Sequence, residues 1–238
     1  MAFKNSNLVV IPTYNEAQNI VPLITEVVRL VPDTHILVVD DNSQDGTATL
    51  VKDLQQKFSQ VHIIERNGKL GLGTAYITAF KWALSRGYDA VIEMDADFSH
   101  NPEVLPHMID ELTRSPTVIG SRYVKGGGTE NWHWLRKLIS KGGSLYARLV
   151  LGIPIRDLTG GFNGWQKQVL TKIDLDSIKS EGYSFQIELK YRSYKRGFTP
   201  KEIPIIFSER REGQSKMSLW IIIEALFRVW KFRFSKSS

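Results

Sequence analysis

Two carboxylates one residue apart, Asp95 and Asp97, close the run Ala90-Val91-Ile92-Glu93-Met94 in a sequence of 238 residues. Hard oxygen ligands suit Mg²⁺ or Mn²⁺, and Mg²⁺ in particular is held by one or two carboxylates together with substrate phosphates. The pair therefore points to a metal at the end of a strand and to a substrate carrying a diphosphate. An Asp-x-Asp pair also occurs on solvated turns, where it caps a helix or faces water. Position favours the metal. A continuous apolar run reads as a buried parallel strand, and ligands of open α/β sheets bind beyond the carboxyl ends of such strands.

Two further segments have the same placement. Pro12-Thr13-Tyr14-Asn15-Glu16 follows the first apolar run; its backbone amides and Tyr14 could embrace a nucleotide, or Asn15 could simply cap the next helix. Asp40-Asp41-Asn42-Ser43 ends the second run. Asp40 could accept a base N–H there, whereas Asn42, Ser43 and Asp45 read as turn and cap residues. The glycines at 68, 71 and 73 lack the dinucleotide-binding spacing and read as a loop and helix entry beside the site.

Among the basic residues, Arg122 ends a strand before Gly126-Gly127-Gly128, where flexibility or close ligand approach is expected. Arg210 and Lys216 flank Gly213 in a glycine-bearing arm. Arginine grips phosphate through its fork and lysine acts as a point charge. Arg136 lies on an amphipathic stretch, where it could serve a phosphate or simply snorkel. Asp157, before Leu158-Thr159-Gly160-Gly161, lies near the reacting centre or fixes the turn. His100, His107 and His133 have no metal-ligand pattern and read as surface or packing residues.

The elements that must position these groups alternate. Leu8–Ile11, Ile36–Val39, Val61–Ile64 and Ala90–Met94 read as strands, with helices over Ala17–Leu30, from Asp45-Gly46 onward, and over Gly73–Ser85. Such alternation predicts a mainly parallel, Rossmann-like α/β sheet flanked by helices. A strand near Thr117–Ile119, a helix after Trp132 running to Leu151, a turn at Gly160-Gly161, a helix over Tyr183–Arg196 and a strand over Ile203–Phe207 follow. No repeat or linker is visible, so residues 1–216 form one domain, with 217–238 a C-terminal amphipathic helix and tail.

Composition narrows the partners. The sequence has no cysteine, which excludes disulfides and thiolate metal sites and fits a reducing compartment. Met1–Ser6 has no apolar signal core, and no segment before the C-terminus approaches the ~20 apolar residues of a membrane span. The net charge of +6 hides an asymmetry: residues 1–110 hold 8 Lys+Arg against 14 Asp+Glu, and residues 111–238 hold 23 against 11. The front half suits cations and the back half anions. The basic residues are dispersed and no nucleic-acid motif accompanies them, so a lipid phosphate or anionic membrane surface is expected instead. The run Met217–Phe234 mixes Trp220, Phe227, Trp230, Phe232 and Phe234 with Arg228, Lys231 and Arg233. It reads as an interfacial helix on anionic lipid, the other possibility being a helix packed on the domain.

Three segments together, Val-Val-Ile-Pro-Thr-Tyr-Asn-Glu (9–16), Val-Val-Asp-Asp-Asn-Ser-Gln-Asp-Gly-Thr (38–47) and Asp-Ala-Asp-Phe-Ser-His-Asn-Pro (95–102), resemble the family-2 glycosyltransferases of GT-A fold. Lys-Leu-Gly-Leu-Gly-Thr-Ala-Tyr (69–76), Gly-Ser-Arg-Tyr (120–123), Leu-Thr-Gly-Gly-Phe (158–162) and the Phe207–Lys216 segment narrow the resemblance to dolichol- or polyprenol-phosphate mannosyltransferases of the short, peripheral type.

The resemblance implies nucleotide-sugar contacts at Pro12, Tyr14, Glu16, Val38, Asp40, Asp95, Ala96 and Asp97. It implies phosphate contacts at Arg122, Arg210 and Lys216, and a metal, Mg²⁺ or Mn²⁺, on Asp95 and Asp97. Some relatives carry Gln where this sequence has Ser99. The expected reaction is inverting transfer of mannose from GDP-mannose to dolichyl or polyprenyl phosphate. Asp97, Arg122 and Asp157 are the expected catalytic residues, and Arg122 with Arg136 the acceptor-phosphate residues.

The expected location is the cytoplasmic face of a membrane, with a membrane-anchoring protein as a further partner. A phosphate monoester, with its second pKa near ~6, is already an anion at neutral pH, so Asp157 is expected to orient rather than deprotonate. Competing expectations are a polyprenyl-phosphate glucosyltransferase using UDP-glucose, a polysaccharide glycosyltransferase with a hydroxyl acceptor, and a non-catalytic nucleotide- or lipid-binding subunit.

Overall fold

The computed structural model describes residues 6–209 and 219–234, with side chains in the last stretch from residue 227 onward. Seven strands form the central sheet: β1 (Asn7–Thr13), β2 (His35–Asp40), β3 (Val61–Glu65), β4 (Ala90–Glu93), β5 (Thr117–Ser121), β7 (Asn163–Gln166) and β8 (Lys201–Pro204). β6 (Gly128–Thr129) and β9 (Ile206–Phe207) pair separately. The helices are α1 (Ala17–Leu30), α2 (Thr47–Lys57), α3 (Leu72–Arg86), α4 (Leu105–Arg114), α5 (Trp134–Leu151), α6 (Lys167–Lys172), α7 (Gly182–Lys195) and α8 (Leu219–Phe234).

The order in the sheet is β3-β2-β1-β4-β7-β5-β8. Every pairing is parallel except those of β7, which runs antiparallel to β4 and β5. The α/β expectation and its mainly parallel sheet hold. The chain lays β2 and β3 on one side of β1, then crosses to place β4 on the other. That reversal opens a crevice beyond the carboxyl ends of β1 and β4, where sheets of this type bind ligands.

The strands read as continuous apolar runs because both faces are covered. Val9, Ile11, Ile36, Val38 and Ile92 pack against Ile20, Leu23, Ile24 and Val27 of α1. The alternate residues Leu8, Val10, Leu37, Val39 and Val91 pack against Tyr76, Ala79, Phe80 and Ala83 of α3. A third cluster joins Ile119, Ala147, Leu151, Ile187, Tyr191, Val229 and Phe232 where α5, α7 and α8 meet.

Two expectations are corrected. The strand anticipated over Ile203–Phe207 is two, because Pro204 has no N–H to continue a ladder. The chain leaves the main sheet at Ile205, whose N–H reaches Ser121 and whose carbonyl accepts from Gly128, and resumes as β9. Asn15 does not cap α1: it sits at φ +58°, and the first amide of α1, Ala17, donates instead to Asp45 Oδ2 at 2.9 Å. At Gly127 the close approach is of the chain's own backbone, since a Cβ there would meet the Ser121 carbonyl oxygen.

Candidate functional site

At the carboxyl end of β1, Tyr14 lies under the Lys69 ammonium, 4.0 Å from its ring centroid. The loops after β1 and β2 brace each other: Asn15 N–H donates to Ser43 Oγ, Glu16 N–H to Thr47 Oγ1, and Asn15 Oδ1 accepts from Gln44 N–H. Asp40 is buried. Its Oδ1 accepts from Thr13 Oγ1 at 2.8 Å and Ser43 Oγ at 2.6 Å, and its Oδ2 from Ser43 N–H at 2.8 Å. A carboxylate offers about four lone-pair sites, so a base N–H would be its last acceptable donor. Val38 is wholly inside the core; its side chain supports this loop and forms none of the site surface. Pro12 and Glu16 are half-buried at its edge, and Ala96 is buried.

Asp41 was not among the anticipated site residues, yet it orders the neighbouring wall. It forms a buried ion pair with Arg66 and accepts from the amides of Leu70 and Gly71 at 3.1 and 3.2 Å. Arg66 in turn donates to the Gly71 carbonyl and Thr74 Oγ1. The glycine-bearing loop before α3 is thereby tied to the end of β2, as its expected place beside the site requires.

Beyond β4 the chain turns sharply. Asp95 N–H donates to His100 Nδ1 at 3.0 Å, and Asp97 Oδ1 accepts from Ser99 N–H at 3.0 Å. Phe98 between them sits at φ +61°, a left-handed conformation costly for a bulky residue and found most often at ligand sites. His100 is a packing residue, stacked on Phe162 at 4.8 Å. Burial is the main cause holding its pKa down, with Arg122 assisting against the pull of nearby carboxylates.

Asp95 keeps its side chain 31% exposed, while Asp97 is buried. Among the described residues no three His, Cys, Asp or Glu gather into a metal site. Two carboxylates one residue apart, with the Ser99 hydroxyl buried in the same turn and lacking a hydrogen-bond partner among the described residues, match an oxygen-preferring cation that takes the rest of its shell from substrate and water.

The basic half of the site is built on Arg122, which directly follows β5. Asp157 grips it from below: Oδ2 accepts from Arg122 Nε at 2.7 Å and from its backbone N–H at 2.9 Å, and Oδ1 accepts from Nη2 at 2.7 Å. Oδ1 also accepts from Gly160 N–H at 3.0 Å. Both residues are buried. Burial acts to raise the Asp157 pKa, but the charge and hydrogen bonds of Arg122 outweigh it and hold the carboxyl below its usual range. Every oxygen of Asp157 is engaged, so its geometry suits orienting Arg122 and leaves no free base.

Trp132, missed by sequence reasoning, joins the two arginines. Its ring lies 5.7 Å from the Arg122 guanidinium and 4.0 Å from that of Arg136. Arg136 also reaches Glu209 at 3.2 Å. Trp132 Nε1 and Arg136 Nε are buried donors without a hydrogen-bond partner among the described residues, an arrangement that costs free energy unless an acceptor arrives. Phe207 links this cluster to the carboxylate turn, its ring 5.5 Å from Arg122 and 5.4 Å from His100. A tryptophan in the stretch Asn131-Trp132-His133-Trp134 carries no sequence signal for this role. Arg210 and Lys216 lie outside the described residues.

Two buried ionisable residues beneath the site were also not anticipated. Lys190 of α7 spends all three N–H groups on the carbonyls of Asp157, Leu158 and Gly160, at 3.0, 3.3 and 2.7 Å. Burial lowers its pKa to about 8, against the raising effect of Asp157 and Glu93. Glu93 accepts from Asn163 Nδ2, Gln186 Nε2 and Trp165 Nε1 at 3.0, 2.7 and 3.0 Å. Burial pushes its pKa up to about 7 despite those donors. A charged residue inside an apolar run was the available signal for Glu93; Lys190 sits in a mixed helix with no such contrast. A separate cavity of about 660 Å³, between Asn7, Asp89, Gln166 and Lys167, lies at the opposite end of β1 and β4 and has none of this chemistry.

Comparison with known proteins agrees with this geometry. The model of the family described as "Glycosyl transferase family 2" matches residues 8–174. The chain is 46% identical over 230 residues, 95% of its length and 87% of the relative's, to the "Polyprenol monophosphomannose synthase" of Mycolicibacterium smegmatis. It is 44% identical over 225 residues, 94% and 93% of the two lengths, to the "Undecaprenyl-phosphate mannosyltransferase" of Micrococcus luteus.

Among solved structures, glucosyl-3-phosphoglycerate synthase from Mycobacterium tuberculosis, in complex with Mn²⁺, UDP and glucosyl-3-phosphoglycerate, superposes with a TM-score of 0.67 at 18% identity, covering 98% of this chain and 80% of that one. The same enzyme with Mg²⁺ and UDP gives the same score. Those two likenesses speak to the fold alone. With a GT-A architecture, a paired-carboxylate turn at its switch point and this match across most of its length, the chain belongs to glycosyl transferase family 2 and is a glycosyltransferase.

Proposed function

We propose that this enzyme transfers mannose from GDP-mannose to a polyprenyl or dolichyl phosphate, with inversion at the anomeric carbon. The names of the two relatives above support the acceptor class and the sugar. The observation that carries the reading is the pair of buried donors, Trp132 Nε1 and Arg136 Nε, that lie beside Arg122 and have no partner among the described residues. With Arg122 they gather positive charge and donor groups around the Trp132 ring, chemistry suited to a phosphate monoester and poorly suited to a neutral sugar hydroxyl.

In this reading Tyr14 and the loops after β1 and β2 hold the nucleotide. Asp95 and Asp97 hold Mg²⁺ or Mn²⁺, which supplies charge neutralisation for the departing diphosphate. Arg210 and Lys216 add positive charge to that diphosphate. Arg122, oriented by Asp157, and Arg136 aim the acceptor phosphate at the anomeric carbon. The acceptor is already ionised at neutral pH, so no residue need remove a proton from it, and Asp157 serves as a positioning residue. In this reading the enzyme works peripherally at the cytoplasmic face of the membrane that carries the lipid. No helix among the described residues is long and apolar enough to cross one.

The test is direct. Purified protein is incubated with labelled GDP-mannose or UDP-glucose, Mg²⁺ or Mn²⁺, and polyprenyl phosphate, and the label entering lipid is counted. Mannose label in the lipid is the expected result. Glucose label alone replaces the sugar assignment, and transfer to a non-phosphorylated polyprenol as efficient as to the phosphate overturns the acceptor assignment.

A further inference from the structure

We propose that Lys190 is a positioning residue of the transfer reaction: from α7 it fixes the loop 157–162, and through that loop the place of Arg122 relative to the carboxylate turn at Asp95 and Asp97. This deepens the functional reading above and rests on it for the roles of those three residues. The loop touches both halves of the site. On one side the Asp157 carboxylate accepts three N–H groups of Arg122, and Thr159 Oγ1 accepts from Arg122 Nη2 at 2.8 Å. On the other, Phe162 stacks on His100, whose Nδ1 accepts from the Asp95 N–H. A shift of these six residues moves the arginine with respect to the carboxylates.

The backbone of the loop depends on charged side chains from elsewhere in the fold. At its entry the amides of Arg156 and Asp157 donate to Glu202 of β8 at 2.9 and 3.0 Å, and the Gly160 amide is spent on Asp157. The carbonyls of Asp157, Leu158 and Gly160 turn inward, where Lys190, 1% exposed, meets all three. Buried carbonyls left without donors are costly. No neutral side chain offers three N–H donors, so an ammonium is the group that satisfies the three at once.

α7 carries a second such contact. Gln186 lies one turn before Lys190 on the same face. Its Nε2 donates to Glu93 Oε2 at 2.7 Å, and its Oε1 accepts from Asn163 Nδ2 at 2.8 Å. Glu93 ends β4, two residues before Asp95. Asn163 Nδ2 also reaches the Gly160 carbonyl at 3.2 Å, the same oxygen that Lys190 holds. One rigid turn of helix, about 6 Å of rise, thus joins the strand that leads to the carboxylate turn to the loop that orients the arginine. The competing role for Lys190 is stability alone, which would lower the melting temperature and leave the kinetic constants of the folded enzyme untouched.

The experiment uses the full chain with Lys190→Met, which keeps the length and removes all three donors. Lys190→Gln, which keeps two N–H groups, is the milder variant should Lys190→Met fold poorly. Leu54→Ala, in the core beneath α2 and away from the site, supplies a destabilised control. Thermal unfolding follows all three. Amide exchange over residues 157–162, calorimetric titration with a short, water-soluble prenyl phosphate, and steady-state transfer with each substrate varied in turn are then compared.

The expected result for the Lys190 variants is faster exchange in 157–162, weaker prenyl-phosphate binding and an acceptor kcat/KM lowered on the order of ten- to a hundredfold, the loss that a displaced positioning group produces. Donor KM stays at the wild-type value. Leu54→Ala melts lower with the kinetic constants of both substrates unchanged. Folded Lys190 variants whose acceptor kcat/KM stays within about twofold of wild type, or whose exchange in 157–162 is unchanged, overturn the proposal. So does a loss shared equally by Leu54→Ala at matched melting temperature. Exchange needs no substrate and no turnover, so a wild type that binds no prenyl phosphate or transfers no label, with a loop that loosens when Lys190 is replaced, counts against the functional reading alone.

Discussion

Asp157→Asn tests the central geometric claim, that this carboxylate holds Arg122 in place and removes no proton. In the wild type four N–H groups point at its two oxygens: three of Arg122 and one of Gly160. Asparagine retains one acceptor oxygen, loses the charge and turns an N–H₂ toward donors. Arg122 is left charged and buried. Breaking a buried pair in this way costs about 3–5 kcal/mol, against a total of about 5–15 kcal/mol for a typical domain. At roughly 2–4 °C per kcal/mol for a chain of this size, the melting temperature falls on the order of 10 °C.

The pH dependence has a definite sign. The Asp157 pKa is lower folded than unfolded, so its stabilisation is present above the ordinary carboxylate range and is lost as pH falls through the depressed value. Wild-type and variant stabilities therefore converge in acid. Urea unfolding across pH and steady-state kinetics with both substrates make the comparison. The expected outcome is lower stability, a raised acceptor KM and a pH–rate profile of unchanged shape. Wild-type stability combined with loss of the acidic limb of that profile would refute the reasoning and make Asp157 a general base.

Trp132→Phe keeps the ring between the arginines and removes one donor. A hydrogen bond to a charged group is worth about 1.5–3 kcal/mol, so acceptor KM should rise roughly tenfold or more with donor KM unchanged, measured by varying each substrate in turn. Asp97→Asn should weaken Mn²⁺ binding in the presence of GDP, read by electron paramagnetic resonance of free Mn²⁺, and chelation should abolish wild-type turnover until Mg²⁺ or Mn²⁺ is restored. Glu93 has a pKa near 7 folded, above its unfolded value, so the folded state holds the extra proton. Its contribution makes stability fall as pH rises from the ordinary carboxylate range through about 7, and Glu93→Gln should flatten that slope in denaturant titrations.

Local pattern alone reported the front half of the protein. Apolar runs at Leu8–Ile11 and Ile36–Val39 mark strands covered on both faces, and their ends mark the crevice, because burial on both faces demands a run that anyone can read. Helix α1 emerged with its anticipated ends, Ala17 and Leu30, from the same periodicity. The paired carboxylates Asp95 and Asp97 were legible for the same reason: a polar pair closing an apolar strand contrasts with its surroundings.

What tertiary structure alone decided is how the back half completes the site. β7, four residues reading Asn-Gly-Trp-Gln, has neither alternation nor an apolar run, and becomes a strand because β4 and β5 offer it partners. Trp132 acquires a role only when Phe207 and two arginines converge on it across long stretches of chain. Lys190 and Asp157, 33 residues apart, become one unit only when α7 is packed beneath the loop that carries Asp157. The sequence determined which residues could carry charge and which strands would be buried. The fold decided which charges neutralise each other and which donors remain for a substrate, because pairing depends on distances that no local pattern contains.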